Sequence, residues 1–293
     1  MRTYLDCYPC LLRQALQAAR FAGADDARQK AVLDSVLGVL RRAEPTATPP
    51  EIANRVHQIV RRETGDGDPY RSAKEQSTRE ALALYSRLKT LVAEADDPLD
   101  VAVRLSIAGN IIDFGPVREY DLWATVERVL SQPFAIDDGE AFRKALGRVD
   151  QVLYLADNAG ETVFDRALIE ALGVPVVYAV KGGPVLNDAT LEDARAAGLD
   201  RVAQVVDNGA DAAGTILSFC SESFRRMYEE AQLVIAKGQA NYETLSAEGP
   251  KVFFLLQAKC PIIARDVGAP VGGVVLKRGV GSEWEGGEQH ARF

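Results

Sequence analysis

Six short apolar runs punctuate the second half of this 293-residue chain: Val152–Ala156, Val174–Val180, Val202–Val206, Leu233–Ala236, Val252–Leu256 and Val274–Leu276. Helical stretches lie between several of them, among them ETVFDRALIEALG (161–173), DATLEDARAAG (188–198), TILSFCSESFRRMYEEA (215–231) and NYETLSAEG (241–249). The runs are continuously apolar, which describes strands buried on both faces, and strands spaced by helices describe a parallel sheet covered on both sides. Such a sheet sets its strands' carboxyl ends along one edge, where ligands bind. Residues scattered over ~100 positions are thereby expected to meet.

The first half has another rhythm. CLLRQALQAARF, ARQKAVLDSVLGVLRRA, EIANRVHQIVRRE and STREALALYSRLKTLVAEA place apolar residues three and four apart, with charges between. TATPPE (46–51), GDGDPY (65–70) and DDP (96–98) break the helices. LDVAVRLSIAGNIIDFG begins as a helix and ends in glycines, and YDLWATVERVL and EAFRKALG complete the series. The expected organisation is an α-helical region over 1–147, an α/β domain over 148–283 and a polar tail over 284–293.

Composition excludes more than it selects. Hydrophobic residues make up 47% and charged ones 26%, as in a globular chain able to bury a core. No window approaches 18 consecutive apolar residues, and MRTYLDCYPC lacks the apolar core of a signal peptide, so a cytoplasmic protein without membrane contact is expected. A net charge of −8 argues against nucleic acid as partner. With His57 and His290 the only histidines, a catalytic metal would be held by oxygen.

The strand ends carry the chemistry. The first run leads into DNAGE (157–161), the second into KGGPVLNDAT (181–190), the third into DNGADAAG (207–214), the fourth into KGQANYE (237–243) and the fifth into QAKC (257–260). Asp157, Asn158 and Asp188, with Asp207 beside them, offer hard oxygen ligands for a divalent ion. Lys181, Lys237 and Lys259 offer cations, and glycine-rich turns opening helices, as at Gly160–Glu161, offer backbone N–H groups to an anion. Oxygen ligands beside lysines indicate phosphate chemistry. Each motif alone also reads as a turn, because Asp, Asn and Gly are turn formers. Neither a G-x-G-x-x-G after the first strand nor a P-loop signature is present.

In number and order these segments resemble the DUF89 family of metal-dependent damage-control phosphatases, in its stand-alone prokaryotic branch. The resemblance rests on DCYPCLLRQA, DPY followed by Lys74, SIAGNIIDFG, LADNAGE, KGGPVLNDAT, VVDNG, AKGQANYE and LLQAKC, which together span most of the chain. It implies a helical N-terminal region packed on a three-layer α/β/α domain with a mostly parallel sheet, and one divalent metal ion (Mn, Co, Ni or Mg) at the strand ends. It also implies that Asp157, Asn158 and Asp188 hold the metal, that Lys237 contacts the substrate phosphate, and that Asn110 and Asp113 belong to a loop lent to the site by the helical region. Lys181, Gly160 and Glu161 complete the expected substrate contacts. The expected reaction is hydrolysis of a small phosphorylated metabolite, a sugar phosphate or a damaged phosphometabolite. Water at or beside the metal would attack phosphorus, with Asp157 or Asp113 as base. Attack by Asp157 itself, giving an aspartyl phosphate, is the competing route. An S-adenosylmethionine-dependent methyltransferase and a non-catalytic metal-binding protein are the alternative readings of the same strand ends.

The cysteines stand apart. Cys7 and Cys10 form a C-x-x-C at the head of a helix, half of a zinc site or a redox pair. Cys220 reads as a buried thiol on a helix face, and Cys260 follows Lys259 at a strand end, from which it is able to fold back on the pair.

Overall fold

A computed structural model describes residues 1–44, 46–111 and 122–281. Its helical half comprises α1 (Cys7–Phe21), α2 (Asp26–Leu40), α3 (Pro49–Thr64), α4 (Arg71–Ala93), α5 (Pro98–Ile111) and α6 (Leu122–Ser131). There follow β1 (Phe134–Asp137), α7 (Gly139–Leu146), β2 (Val152–Leu155), α8 (Thr162–Leu172), β3 (Val176–Val180) and α9 (Leu191–Ala196). The chain continues through β4 (Gln204–Asp207), α10 (Glu222–Glu230), β5 (Val234–Lys237), α11 (Gly238–Leu245), β6 (Val252–Gln257), α12 (Pro261–Val267) and β7 (Val274–Arg278).

The strands form one sheet in the order β1-β7-β6-β5-β2-β3-β4, parallel throughout except for the antiparallel pair β6–β7. From β2 the chain winds one way through β3 to β4, then returns to the other side of β2 as β5 and moves outward to β6. The reversal opens a crevice between the carboxyl ends of β2 and β5, the ligand-binding position of doubly wound sheets. Strand residues alternate between two cores. Tyr154, Tyr178, Ile235, Phe253 and Leu255 pack with α4 to α8 on one face, while Leu153, Val177, Val234, Phe254 and Leu256 pack with α10 to α12 on the other. This is the period-2 geometry of a strand in a three-layer fold.

Helices α1, α2 and α3 bury a core of their own around Leu11, Ala15, Val32, Val36, Val56 and Val60. Two starts are fixed by caps: Asp25 accepts from the Arg28 N–H, and Thr48 with Glu51 forms a capping box before Pro49 and Pro50. The bundle is tied to the sheet's loops by Arg61, which donates to the Pro184 carbonyl at 2.7 Å and to Asp211 at 2.5 Å.

Several local expectations are corrected. PFAID lies outside the expected elements, yet Phe134–Asp137 forms an edge strand paired with β7; four residues are too few to show a period. The continuous helix expected over 215–231 is a 3₁₀ turn, Leu217–Phe219, followed by α10 with Ser221 as its cap, so Cys220 sits between them rather than on a helix face. PIIARDV, also outside the expected elements, forms α12 with proline in its first turn. The tail 284–293 lies outside the described residues. Among the described residues no helix is long and apolar enough to cross a membrane.

His57, on α3, is fully buried, and its Nε2 has no hydrogen-bond partner. Burial, with the Arg61 charge adding to it, lowers its pKa from 6.5 to about 4. A depressed imidazole stabilises the fold fully above pH 6.5 and loses that contribution as pH falls towards 4, because the unfolded chain then binds the extra proton. Wild type is therefore expected to lose roughly 2–3 kcal/mol more than His57→Gln over this range, measured by denaturant titration at stepped pH.

Candidate active site at the β2–β5 crevice

Backbone pairing gathers the first acidic residues. The Ala159 N–H donates to the Asn187 carbonyl and the Ala189 N–H to the Asp157 carbonyl, both at 2.8 Å, and Asn158 and Asp188 form an isolated antiparallel bridge. The segment after β2 is thus zipped to the loop after β3, and Asp157, Asn158 and Asp188 meet from positions thirty apart. No residue of 157–161 has a left-handed φ, so this turn does not draw on the wider conformational freedom of its glycine, Gly160. Among the described residues the left-handed non-glycine residue is Leu186, φ 47°, in the loop that presents Asp188.

A hydrogen-bond network sets the side chains. Asn110, at the end of α5, donates through Nδ2 to Asp157 Oδ2 at 2.8 Å and to Glu161 Oε2 at 3.0 Å. Asn158 Nδ2 donates to the same two oxygens, at 3.1 and 2.9 Å. The other oxygen of Glu161 accepts from Lys237, whose ammonium also donates to Asp165 Oδ1 at 2.7 Å and to the Ser106 carbonyl at 2.9 Å. Lys237 and Glu161 are fully buried. All three ammonium donors of Lys237 are thus engaged, and a phosphate contact requires it to release one. Lys181 donates to the Gly214 carbonyl at 2.5 Å and lies 3.5 Å from Asp188 Oδ2, an ion-pair separation outside good hydrogen-bond geometry. Asp113 lies outside the described residues.

Electrostatics marks Asp157. It is buried; among the described residues its carboxylate accepts from the amides of Asn110 and Asn158, and no ammonium or guanidinium lies within ion-pair distance, the charges of Lys259 and Lys181 reaching it from further off. Burial, then the charges of Asp188 and Glu161, hold its carboxyl well above the usual range. Burial raises Asp188 to about 6 against the opposing pull of Lys181. Asp188 Oδ2 and Asn110 Oδ1 are buried without a hydrogen-bond partner. Above these groups lies a cavity of about 380 Å³ between the sheet edge and the three-helix bundle, lined by Asp157, Asn158 and Asp188 below and by Arg13, Lys259 and Cys10 among others.

Of the expected oxygen donors, Asp207 does not join. It is exposed and accepts from the Gly209 N–H at 3.0 Å, so VVDNG is a turn. Its Asn208 accepts from Gly182 and Ala210, and a Cβ on Gly182 would lie 2.6 Å from the Gly209 carbonyl carbon, so the two glycine turns pack backbone to backbone. Two residues escaped the sequence reading. Asp165, fully buried, accepts from Ser106, Tyr154, Tyr178 and Lys237 and anchors the network from behind. Gly238, φ 75°, lies against Asp157: a Cβ there would overlap the carboxylate and come within 2.9 Å of Asn110 Nδ2. The glycine of KGQANYE was the available signal.

The damage-control phosphatase ARMT1-like domain matches residues 3–275, and the chain belongs to that family, the DUF89 proteins. It is 35% identical over 288 residues to an uncharacterized protein of Methanocaldococcus jannaschii, covering 93% of this chain and 94% of that one. It is 35% identical over 283 residues to a damage-control phosphatase of Archaeoglobus fulgidus, covering 92% and 97% of the two chains. The crystal structure of a DUF89 family protein from Pyrococcus horikoshii superposes with a TM-score of 0.86 at 31% identity, over 95% of this chain and 99% of that chain.

Gly238→Ala separates packing from backbone conformation. Gly268, which ends α12 with φ 83°, has nothing within 4 Å of where a Cβ would stand, so Gly268→Ala is expected to cost only the left-handed strain of roughly 1–2 kcal/mol. Gly238→Ala is expected to lose that much stability and also to displace Asp157, abolishing hydrolysis of an aryl phosphate that Gly268→Ala retains. Thermal melts and phosphate release on both variants check this.

Proposed function

We propose that the crevice binds one divalent metal ion and hydrolyses small phosphate monoesters, sugar phosphates or damaged phosphometabolites. The observation that supports this most directly is Asp157, a buried carboxylate with no ion-pair contact among the described residues, beside Asp188, whose Oδ2 makes no hydrogen bond and meets only the Lys181 ammonium at 3.5 Å. Among the described residues no three His, Cys, Asp or Glu side chains are arranged round a metal. The set proposed here has two carboxylates and an amide, and its oxygen donors fit a hard cation. Asp157, Asn158 and Asp188 would hold the ion, which when bound acts as a Lewis acid toward a phosphoryl oxygen and makes water a better nucleophile.

The remaining roles follow from which groups are engaged. Glu161, with both oxygens occupied, orients Asn110 and Asn158 rather than touching substrate. Arg13 and Lys259, on the cavity wall, supply positive charge toward an anionic substrate. Lys181 keeps Asp188 in place and retains donor capacity for a phosphate oxygen. The family's and the curated relatives' names, damage-control phosphatase, agree with this reading.

Metal-stripped protein is expected to release no phosphate from an aryl phosphate and to regain activity with one or two of Mn²⁺, Co²⁺, Ni²⁺ and Mg²⁺ added singly. Asp157→Asn, folded by circular dichroism, is expected to lose at least about a hundredfold in kcat/KM, roughly 3 kcal/mol of transition-state stabilisation. Full activity in chelator, or in the variant, would sink the proposal.

A further inference from the structure

The thiols at the far wall of the same cavity have no part in this chemistry. Cys7 and Cys10 occupy the first turn of α1, where a spacing of three sets both on one helix face with Cα atoms about 5 Å apart. Cys260 caps α12 from the end of the β6 segment. All three line the cavity, and each of the pair lies within electrostatic reach of Cys260 and of Glu243. None is in a disulfide, and Cys220 does not line this cavity.

Two features give this cluster the character of a ligand set. Glu243, on α11, is more than nine-tenths buried and lines the same cavity, and the cation nearest it is the Met1 ammonium, which donates to its backbone carbonyl at 3.0 Å and leaves the carboxylate open to a ligand. Two sulfurs already accept N–H donors at 3.5 Å, Cys10 from the Gln14 amide and Cys260 from the Ile263 backbone. Such donors stabilise charge on a ligating thiolate.

We propose that Cys7, Cys10 and Cys260, with Glu243, form a second metal site that takes a soft divalent ion of the zinc class. The C-x-x-C supplies the half-site spacing of a structural zinc centre, and Cys260 and Glu243 bring the set to four. Among the described residues no three such side chains are drawn round one point. The ion must therefore gather them, each thiol giving up its proton to solvent as it coordinates. Bound there, it ties α1 to the start of α12 and to the last turn of α11, and so clamps the three-helix bundle over the cavity. This inference is independent of the phosphatase reading, because it uses none of Asp157, Asn158 or Asp188.

Cobalt(II) is the probe, since thiolate ligation gives a near-ultraviolet charge-transfer band that oxygen ligation does not. Metal-stripped full-length protein titrated with Co²⁺ is expected to develop the band in wild type and in Asp157→Asn, and to lose it on adding Zn²⁺. The Cys7→Ser/Cys10→Ser variant is expected to show none. A band absent from wild type, or persisting in the double variant, would overturn the site. Should the double variant fail to fold, alkylation of the wild type decides. Zn²⁺ is expected to slow iodoacetamide labelling of Cys7, Cys10 and Cys260 at least tenfold by peptide mass spectrometry, with Cys220 as the internal reference. Equal labelling with and without Zn²⁺ refutes the site.

Discussion

The buried ammonium of Lys237 holds this structure together at the point where chemistry is expected. It enters from the end of β5 and meets Glu161 and Asp165 on either side of the start of α8, with the Ser106 carbonyl of α5 as its third acceptor. Burying three charges costs several kcal/mol each unless every donor and acceptor is matched. Here matching is nearly complete: Lys237 uses all its donors, and Asp165 also accepts from Ser106, Tyr154 and Tyr178. A fully satisfied network of this kind permits one arrangement of its members. Through Glu161 that order passes to the amides of Asn110 and Asn158, and through them to Asp157. The carboxylate at the cavity floor is thus positioned from the core outward.

How much of this was legible in the sequence depends on what each residue's signal encodes. The doubly wound sheet was legible because buried parallel strands announce themselves as continuous β-branched runs, and Asp157, Asn158 and Asp188 were legible because strand ends must converge. β1 was not, since FAID is short and only half-buried. DNG at 207–209 and DNAGE at 157–161 are nearly the same string with different fates. The first follows β4, the last strand of the order, while the second follows β2 at the reversal of winding. Strand order, which a single chain does not spell out, made one a turn and the other part of the site. Lys237 shows the same limit from another side, because nothing local distinguishes a lysine that meets solvent from one whose every donor is taken inside the fold.

The helical bundle is the second constraint. Its core is separate from the two that sandwich the sheet, and it meets the site through the loop after β3 and through α3 against α11. Leu186 joins the two systems: its side chain packs against the bundle core while its backbone takes the left-handed conformation two residues before Asp188. A non-glycine residue in that region carries roughly 1–2 kcal/mol of strain, which burial of an apolar side chain offsets. Leu186 therefore couples the position of the acid in the crevice to the seating of the bundle above it, beside the Arg61 tie and the pairing of 157–159 with 187–189.

Charge explains why the bundle belongs there. Asp157, Glu161, Asp165 and Asp188 are buried within one small volume, and among the described residues the cations in ion-pair contact with them are Lys237 and Lys181. The floor of the cavity is therefore short of positive charge, which suits the divalent ion proposed there, whereas the proposed phosphate substrate above such a floor requires cations on the walls. Lys259, beyond β6, supplies one, and Arg13 on α1 supplies another that the sheet's own crossovers do not. A site made by the sheet alone would hold a cation well and its anionic partner poorly. On the proposed function, the bundle that closes the cavity adds Arg13 to the cations facing Asp157 and Asp188, so the helical half answers the same electrostatics that set these acids beyond β2 and β3.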